Sequence, residues 1–210
     1  MSEPDFGAQR RQMVEEQLKA RGISDPAVLA AMLKVPRHLF VPFEYRAQAY
    51  TDHPLPLGPQ QTISQPFIVA LMLQASEIKS KNRVLDIGTG SGYQTALLCE
   101  LGAEVFSIEI DQDLHRAAER SLRDLGYTAK LRCGDGFEGW REAAPFDAII
   151  VSACPGSVPR GLPPQLKQGG RLVLPVGRTE QELIKFTRTA GGLVSADLGS
   201  VRFVEMKKPH

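Results

Sequence analysis

Apolar positions fall into two regimes along this chain. Up to about residue 80 they recur at helical spacing between breaks, and beyond it short, mostly apolar runs alternate with amphipathic stretches. Met13, Val14, Gln17, Leu18 and Arg21 share one helical face, and Gly22 is a natural stop. Asp25-Pro26 then predicts a second helix, with Asp25 as cap and Pro26 at the first helical position. Val28, Leu29, Met32 and Leu33 form its expected apolar face, and Pro36 ends it. Residues 36–66 are rich in proline and poor in periodicity. Within them 53–61 (HPLPLGPQQ) predicts a short hairpin or an ordered irregular loop, anchored by Leu55, Leu57 and Ile63. Pro66 opens a third helix to about residue 75, carrying Phe67, Leu71 and Met72.

The second regime predicts strands over 83–87, 104–110, 129–133, 146–152, 170–176, 182–189 and 201–206. Helices are expected over 93–101 and 112–125, with a helical turn at 163–167. Strands that alternate with helices of this length imply a parallel sheet covered on both faces. The expected fold class is therefore α/β, a doubly wound, mostly parallel seven-stranded sheet with an N-terminal helical extension. The division expected is one domain, with residues 1–80 forming helices and a substrate-side loop and 81–210 the sheet core.

Composition narrows the function classes. The 210 residues carry 25 basic and 24 acidic side chains, for a formal charge of +1. That lacks the basic surplus with which proteins neutralise nucleic-acid phosphates, so no nucleic-acid partner is expected. Cys99, Cys133 and Cys154 include no CxxC pair, which argues against a disulfide framework and for a reducing compartment. His38, His53, His115 and His210 are scattered and form no metal-binding spacing, so no metal is expected. The charged start, MSEPDFGAQRRQMVEEQ, has no apolar segment of a signal peptide. No apolar run approaches the roughly 20 residues that span a bilayer. A cytoplasmic protein, active as a monomer and without a membrane partner, is expected.

The chemistry concentrates at Val84-Leu85-Asp86-Ile87-Gly88-Thr89-Gly90-Ser91-Gly92-Tyr93. A strand that runs into glycines and then a helix is the first turn of a nucleotide-binding unit, where the backbone turns tightly and approaches the ligand without a Cβ. Glu109 ends the next strand, where a carboxylate can accept both ribose hydroxyls. Two features disfavour a dinucleotide. Tyr93 occupies the position of the third Rossmann glycine, where a side chain is expected to hinder close helix–strand packing, and Asp86 is expected to direct its charge toward the site, where it would oppose a pyrophosphate. A ligand with an ammonium and a sulfonium and no phosphate suits it, and S-adenosylmethionine is such a ligand. The segment thus resembles the methyltransferase fingerprint (E/D)xGxGxG, matched by Asp86, Gly88, Gly90 and Gly92. Asp135, between Gly134 and Gly136 after the third strand, can reach an adenine amine, although Asp-Gly is also a common turn pair.

Further segments carry a more specific likeness: VPRHLFVP at 35–42, QTISQP at 61–66, LDIGTGSGYQTA at 85–96, GDG at 134–136, PFDAIIV at 145–151, LVLPVG at 172–177 and VRFV at 201–204. Together they resemble the protein-L-isoaspartate (D-aspartate) O-methyltransferases, over nearly the whole chain. The resemblance implies methyl transfer from S-adenosylmethionine, leaving S-adenosylhomocysteine, to the α-carboxylate of L-isoaspartyl residues in damaged proteins and peptides. The ester then collapses to a succinimide that partly restores aspartate. It further implies Ser64 as the active-site residue, Asp86, Gly88, Gly90, Glu109, Asp135 and Gly136 as cofactor-binding, and Thr62, Ile63 and Val201 as substrate-binding. A carboxylate, with a pKa of about 4, is already nucleophilic at neutral pH, so no general base is required. Catalysis is then positioning, and the Ser64 hydroxyl can hydrogen-bond the non-attacking oxygen.

Two departures stand out. Val69 occupies the position at which some relatives carry a histidine, so no cofactor contact is carried over to it. Glu205-Met206 follows VRFV where many members have Pro-Leu. By the residues alone, Ser64 is also compatible with a turn or helix cap, and the glycine loop with a dehydrogenase, a methyltransferase acting on nucleic acid or a small molecule, or a non-catalytic module. Ser152-Ala153-Cys154-Pro155 lacks the (N/D)PP(Y/F) loop used to methylate base amines.

Overall fold

The computed structural model describes residues 4–208. Its frame is a seven-stranded sheet in the order β5-β4-β3-β6-β7-β8-β9. The strands are β3 (Arg83–Ile87), β4 (Glu104–Glu109), β5 (Lys130–Cys133), β6 (Phe146–Val151), β7 (Leu166–Gly177), β8 (Gln181–Thr189) and β9 (Gly192–Val201). The first five are parallel, and β8 runs antiparallel to both of its neighbours. A small antiparallel pair, β1 (Leu55–Gly58) and β2 (Gln61–Ile63), lies apart from the sheet. Chain order reverses direction across the sheet between β3 and β6, the place where open α/β sheets leave a crevice at their carboxyl ends.

Strand side chains sort by alternation. Val84, Val105, Ala148, Ile150 and Val173 point to one face, and Leu85, Phe106, Ile149, Leu172 and Leu174 to the other. The first face is covered by α3 (Pro66–Ala75), α4 (Tyr93–Glu100) and α5 (Gln112–Asp124), with the N-terminal helices packed beyond them. The second face differs from the expectation of helices. It is covered by residues 134–145 and 152–165, whose only helical structure is a pair of short 3₁₀ turns, with Phe137, Trp140, Ala143 and Leu162 supplying the apolar cover.

The N-terminal helix is continuous from Phe6 to Arg21 but changes register, from α (α1, Phe6–Gln12) through a π-helical turn (Met13–Leu18) to a 3₁₀ turn. The π turn places Met13, Val14 and Leu18 together in the core, and Gly22 ends the helix at φ 93°. Helix α2 (Pro26–Lys34) begins as expected, with the Asp25 carboxylate accepting from the Ala27 and Val28 N–H groups. Its buried face, however, is Val28, Ala31 and Met32, whereas Leu33 is exposed. Helix α3 buries Val69, Ala70, Met72 and Leu73, leaving Phe67 and Leu71 half-buried toward a surface cleft.

The sheet's last strand corrects the sequence reading. Strand β9 is Gly192–Val201, almost wholly exposed, and the chain leaves the sheet where a strand over 201–206 is expected. Residues 204–206 instead run beside Cys154: its N–H donates to the Val204 carbonyl at 2.8 Å, and its carbonyl accepts from Met206 at 2.8 Å.

Candidate active site

Two cavities meet at the carboxyl ends of β3, β4 and β6. The inner one is floored by the glycine loop after β3 and lined by Gly88, Gly90, Glu109, Gly136 and Met206, among others. The outer one is an open cleft whose wall includes Arg21, Phe67, Val201 and Phe203. Thr62, Ser64, Ser152 and Val204 line both. These four residues therefore mark the passage between the cavities.

The loop is built for close approach. Gly88, Gly90 and Gly92 adopt φ of 91°, 54° and 87°, which side-chain-bearing residues rarely tolerate. Gly92 begins α4, and a Cβ there would lie 3.3 Å from Leu122 of α5, so it is this glycine that admits close helix packing. Tyr93 does not obstruct that packing, contrary to the expectation. Its ring turns into the N-terminal layer against Phe40 and beneath Arg37, and its hydroxyl reaches Met32 Sδ. Gly136 is tighter still: a Cβ would lie 2.4 Å from Ile87 Cγ2 and 2.9 Å from Met206 Cε.

The acidic residues divide their duties. Glu109 is buried and lines the inner cavity. Its Oε1 accepts from the Ile110 and Asp111 N–H groups at 2.9 and 3.0 Å, and its Oε2 from Gly90 at 2.8 Å. A carboxylate offers about four acceptor positions, so Oε2 keeps capacity for a ligand hydroxyl. Asp86 does not line the cavity. Its carboxylate lies fully buried beneath the loop, accepting from Thr95 Oγ1 at 2.6 Å, Gln94 Nε2 at 2.8 Å and Ser107 Oγ at 3.2 Å. Burial pushes its pKa up to about 6, against the pull of those three hydrogen bonds. The expectation that Asp86 aims its charge into the site is thus corrected: it supports the first turn of α4 from below. Asp135 likewise spends Oδ1 on the Phe137 N–H at 2.8 Å, forming a turn, while its neighbours Gly134 and Gly136 line the cavity.

Ser64 follows β2 and is half-buried. It is not a helix cap; Gln65 holds that place ahead of α3. Among the described residues its hydroxyl makes no hydrogen bond, so it is available to a ligand. Its carbonyl is held by Arg37 Nη2 at 2.8 Å, and Arg37 Nε donates to the Ala49 carbonyl at 2.8 Å. Arg37 is fully buried, and burial lowers its pKa to about 10, which leaves it charged at neutral pH. This cation ties the segment carrying Ser64 to the N-terminal layer. Thr62 and Ile63 precede Ser64 on β2, and Val201 faces the outer cleft at the end of β9.

Ser152, Gln94 and the segment 204–207, none of them expected from the sequence to hold a ligand, also line the inner cavity. Ser152 could have been found from its place immediately after a parallel strand, since such strand ends point into the crevice. Val69, at the departure noted above, is buried in the cavity wall, and so is Met206.

Comparison with known proteins agrees with this geometry. The family model for protein-L-isoaspartate(D-aspartate) O-methyltransferase matches residues 8–209. The chain belongs to that family. A protein-L-isoaspartate O-methyltransferase of Gloeobacter violaceus is 54% identical over 199 residues, covering 93% of this chain and 97% of the relative. A solved protein-L-isoaspartate O-methyltransferase structure superposes with TM-score 0.84 at 30% identity, covering 94% of this chain and 66% of that longer one. A Plasmodium falciparum protein assigned to the same activity, solved with S-adenosyl-L-homocysteine, superposes with TM-score 0.82 at 27% identity, covering 98% of this chain and all of that one. The chain is accordingly an enzyme of this family. Among the described residues, no helix is long and apolar enough to cross a membrane, and no cluster of three or more His, Cys, Asp or Glu could hold a metal.

Proposed function

We propose that this single-domain enzyme transfers the methyl group of S-adenosylmethionine to the α-carboxylate of L-isoaspartyl residues in proteins and peptides, acting as a monomer in the cytoplasm and not on nucleic acid. The observation that carries the reading is the passage between the two cavities, where Ser64 presents an unengaged hydroxyl between a cofactor-shaped inner chamber and an open, peptide-accessible cleft. The inner chamber fits the cofactor. Its glycines leave room a Cβ would fill, and in its charged lining the carboxylates of Glu109 and Glu205 outnumber the one cation, Lys207, which suits a ligand of positive charge without phosphate. When bound, that cofactor supplies an activated methyl on a sulfonium.

The protein's own residues then bind and orient. Gly88, Gly90 and Gly136 supply a surface without side chains, and Glu109 accepts from ribose hydroxyls. Asp86 keeps α4 in register beneath them, and Asp135 shapes the turn that brings Gly136 to the wall. Thr62, Ile63 and Val201 border the peptide path. Ser64 donates to the carboxylate oxygen that does not attack, leaving the other oxygen unencumbered for in-line attack. No proton has to be removed from the acceptor, which accounts for a passage lined by hydroxyl and apolar groups with no base.

The experiment is transfer of labelled methyl to an isoaspartyl peptide, followed by mild base. A carboxyl ester releases its label as methanol as the succinimide forms. Label that stays on the acceptor would place the methyl on nitrogen or on an ether oxygen and exclude this reading.

A further inference from the structure

Ser152 stands at the same passage as Ser64, directly after β6. Three contacts fix it. Its N–H donates to the Ile87 carbonyl at 2.8 Å, its Cβ lies beside Gly88, where an added Cβ would come within 3.5 Å, and its Oγ lies 2.9 Å from Gln94 Nε2. The direction of the last bond is set by Asp86. A carboxylate can only accept, so the Gln94 amide must turn its nitrogen toward Asp86 Oδ1 (2.8 Å), and the second hydrogen of the same nitrogen goes to Ser152 Oγ. Ser152 Oγ is therefore an acceptor within the protein. Its own hydrogen has no acceptor among the described residues and is left for whatever occupies the passage.

We propose that Ser152 is a second catalytic hydroxyl, donating a hydrogen bond to the substrate carboxylate alongside Ser64, and that Gln94 and Asp86 are positioning residues that orient it. This rests on the carboxyl-transfer reading above. A carboxylate oxygen has two lone pairs, so two hydroxyls converging on the non-attacking oxygen hold the plane of the group as well as its location. The other oxygen keeps its full nucleophilicity toward the methyl carbon; the new O–C bond forms as the S–C bond breaks, and no proton moves. The chain Asp86–Gln94–Ser152 also gives the buried carboxylate a purpose at the reaction centre that it does not have as a cavity-lining group. Loss of this one bond to a charged oxygen is expected to cost about tenfold or more.

The test compares wild type, Ser152→Ala and Ser152→Thr for steady-state methylation of an isoaspartyl peptide and for calorimetric binding of S-adenosylhomocysteine. The expected result for Ser152→Ala is a fall of about tenfold or more in kcat/KM for the peptide, with product affinity kept within about twofold. Ser152→Thr, which keeps the hydroxyl, should retain activity within about threefold of wild type. Unchanged kcat/KM in Ser152→Ala overturns the proposal. So does a parallel loss of product affinity, which would place the hydroxyl on the cofactor. No methylation by the wild type overturns the carboxyl-transfer reading itself, and this proposal with it.

Discussion

Gly136→Ala isolates the tightest packing in the inner cavity. The added methyl would sit 2.4 Å from Ile87 Cγ2 and 2.9 Å from Met206 Cε, against an ordinary carbon–carbon contact of about 3.5–4.0 Å. The methionine can swing away at little cost, since its chain has three rotatable bonds. Ile87 cannot follow as readily: it is β-branched, almost wholly buried, and held in β3 between β4 and β6. Clearing the overlap needs a shift of about 1 Å in that wall, and overpacking of this kind costs about 1–3 kcal/mol. The backbone at Gly136 is not in the left-handed region, so the cost is steric and not conformational. Ile87 also lines the cavity, so part of the shift intrudes on the ligand; at about 1.4 kcal/mol per factor of ten, product affinity should fall roughly tenfold. Gly134→Ala is the matched control, because its added methyl would meet nothing closer than 3.8 Å. Urea unfolding and calorimetric titration with S-adenosylhomocysteine would read both effects. Equal stability and equal affinity in the two variants would refute the reasoning.

Two further substitutions probe the carboxylate and the hydroxyl. Ser64→Ala should keep product affinity within about twofold while kcat/KM falls by about 10- to 100-fold, as for a lost hydrogen bond to a charged group; unchanged turnover in the same assays would take Ser64 out of the mechanism. Asp86 has a folded-state pKa raised from 3.8 to about 6, so the stability its protonated form confers is complete below the unfolded value and lost as pH rises through the folded one. Asp86→Asn removes that dependence, and urea unfolding across about pH 4 to 6 should show the variant gaining up to roughly 3 kcal/mol relative to wild type. A difference that does not change with pH would contradict the buried, ionisable carboxylate.

The parts of the fold that showed in the sequence are those where burial and local geometry agree. Strands β3 and β6 are buried on both sides and read as short, mostly apolar runs, interrupted by Asp86 and Asp147. Asp25-Pro26 and Gly22 mark helix ends because their backbone chemistry is local. Strand β9 was not legible for the opposite reason. Its residues, GLVSADLGSV, are exposed along nearly all of their length, so no alternation of apolar and polar positions marks a buried face. The segment 201–206, read as a strand, pairs with β8 only at Val201; beyond it the chain lines the cavities, and Val204 and Met206 bond to Cys154. Leu33 and Ala31 exchanged places because helical spacing alone cannot say which side of a nine-residue helix meets the core.

At the site, the glycine loop and Glu109 could be read directly, since backbone conformation and strand-end position follow from spacing. The location of Asp86 could not. Whether a strand-end carboxylate faces a ligand or the layer beneath depends on which donors the next helix brings, here Gln94 and Thr95. Tyr93 misled for a similar reason. Its ring finds room in an N-terminal layer that spacing in the nucleotide loop does not describe. Ser152 belongs to no compact motif, and only the meeting of β2, β6 and the segment after β9 gives it significance.

The most direct measurement offers the enzyme two peptides of identical composition, one isoaspartyl and one aspartyl, with labelled S-adenosylmethionine. The account predicts base-labile label on the isoaspartyl peptide alone, because only its free α-carboxylate can enter the passage between Ser64 and Ser152. Equal labelling of both peptides, or of neither while S-adenosylhomocysteine still binds, would contradict it.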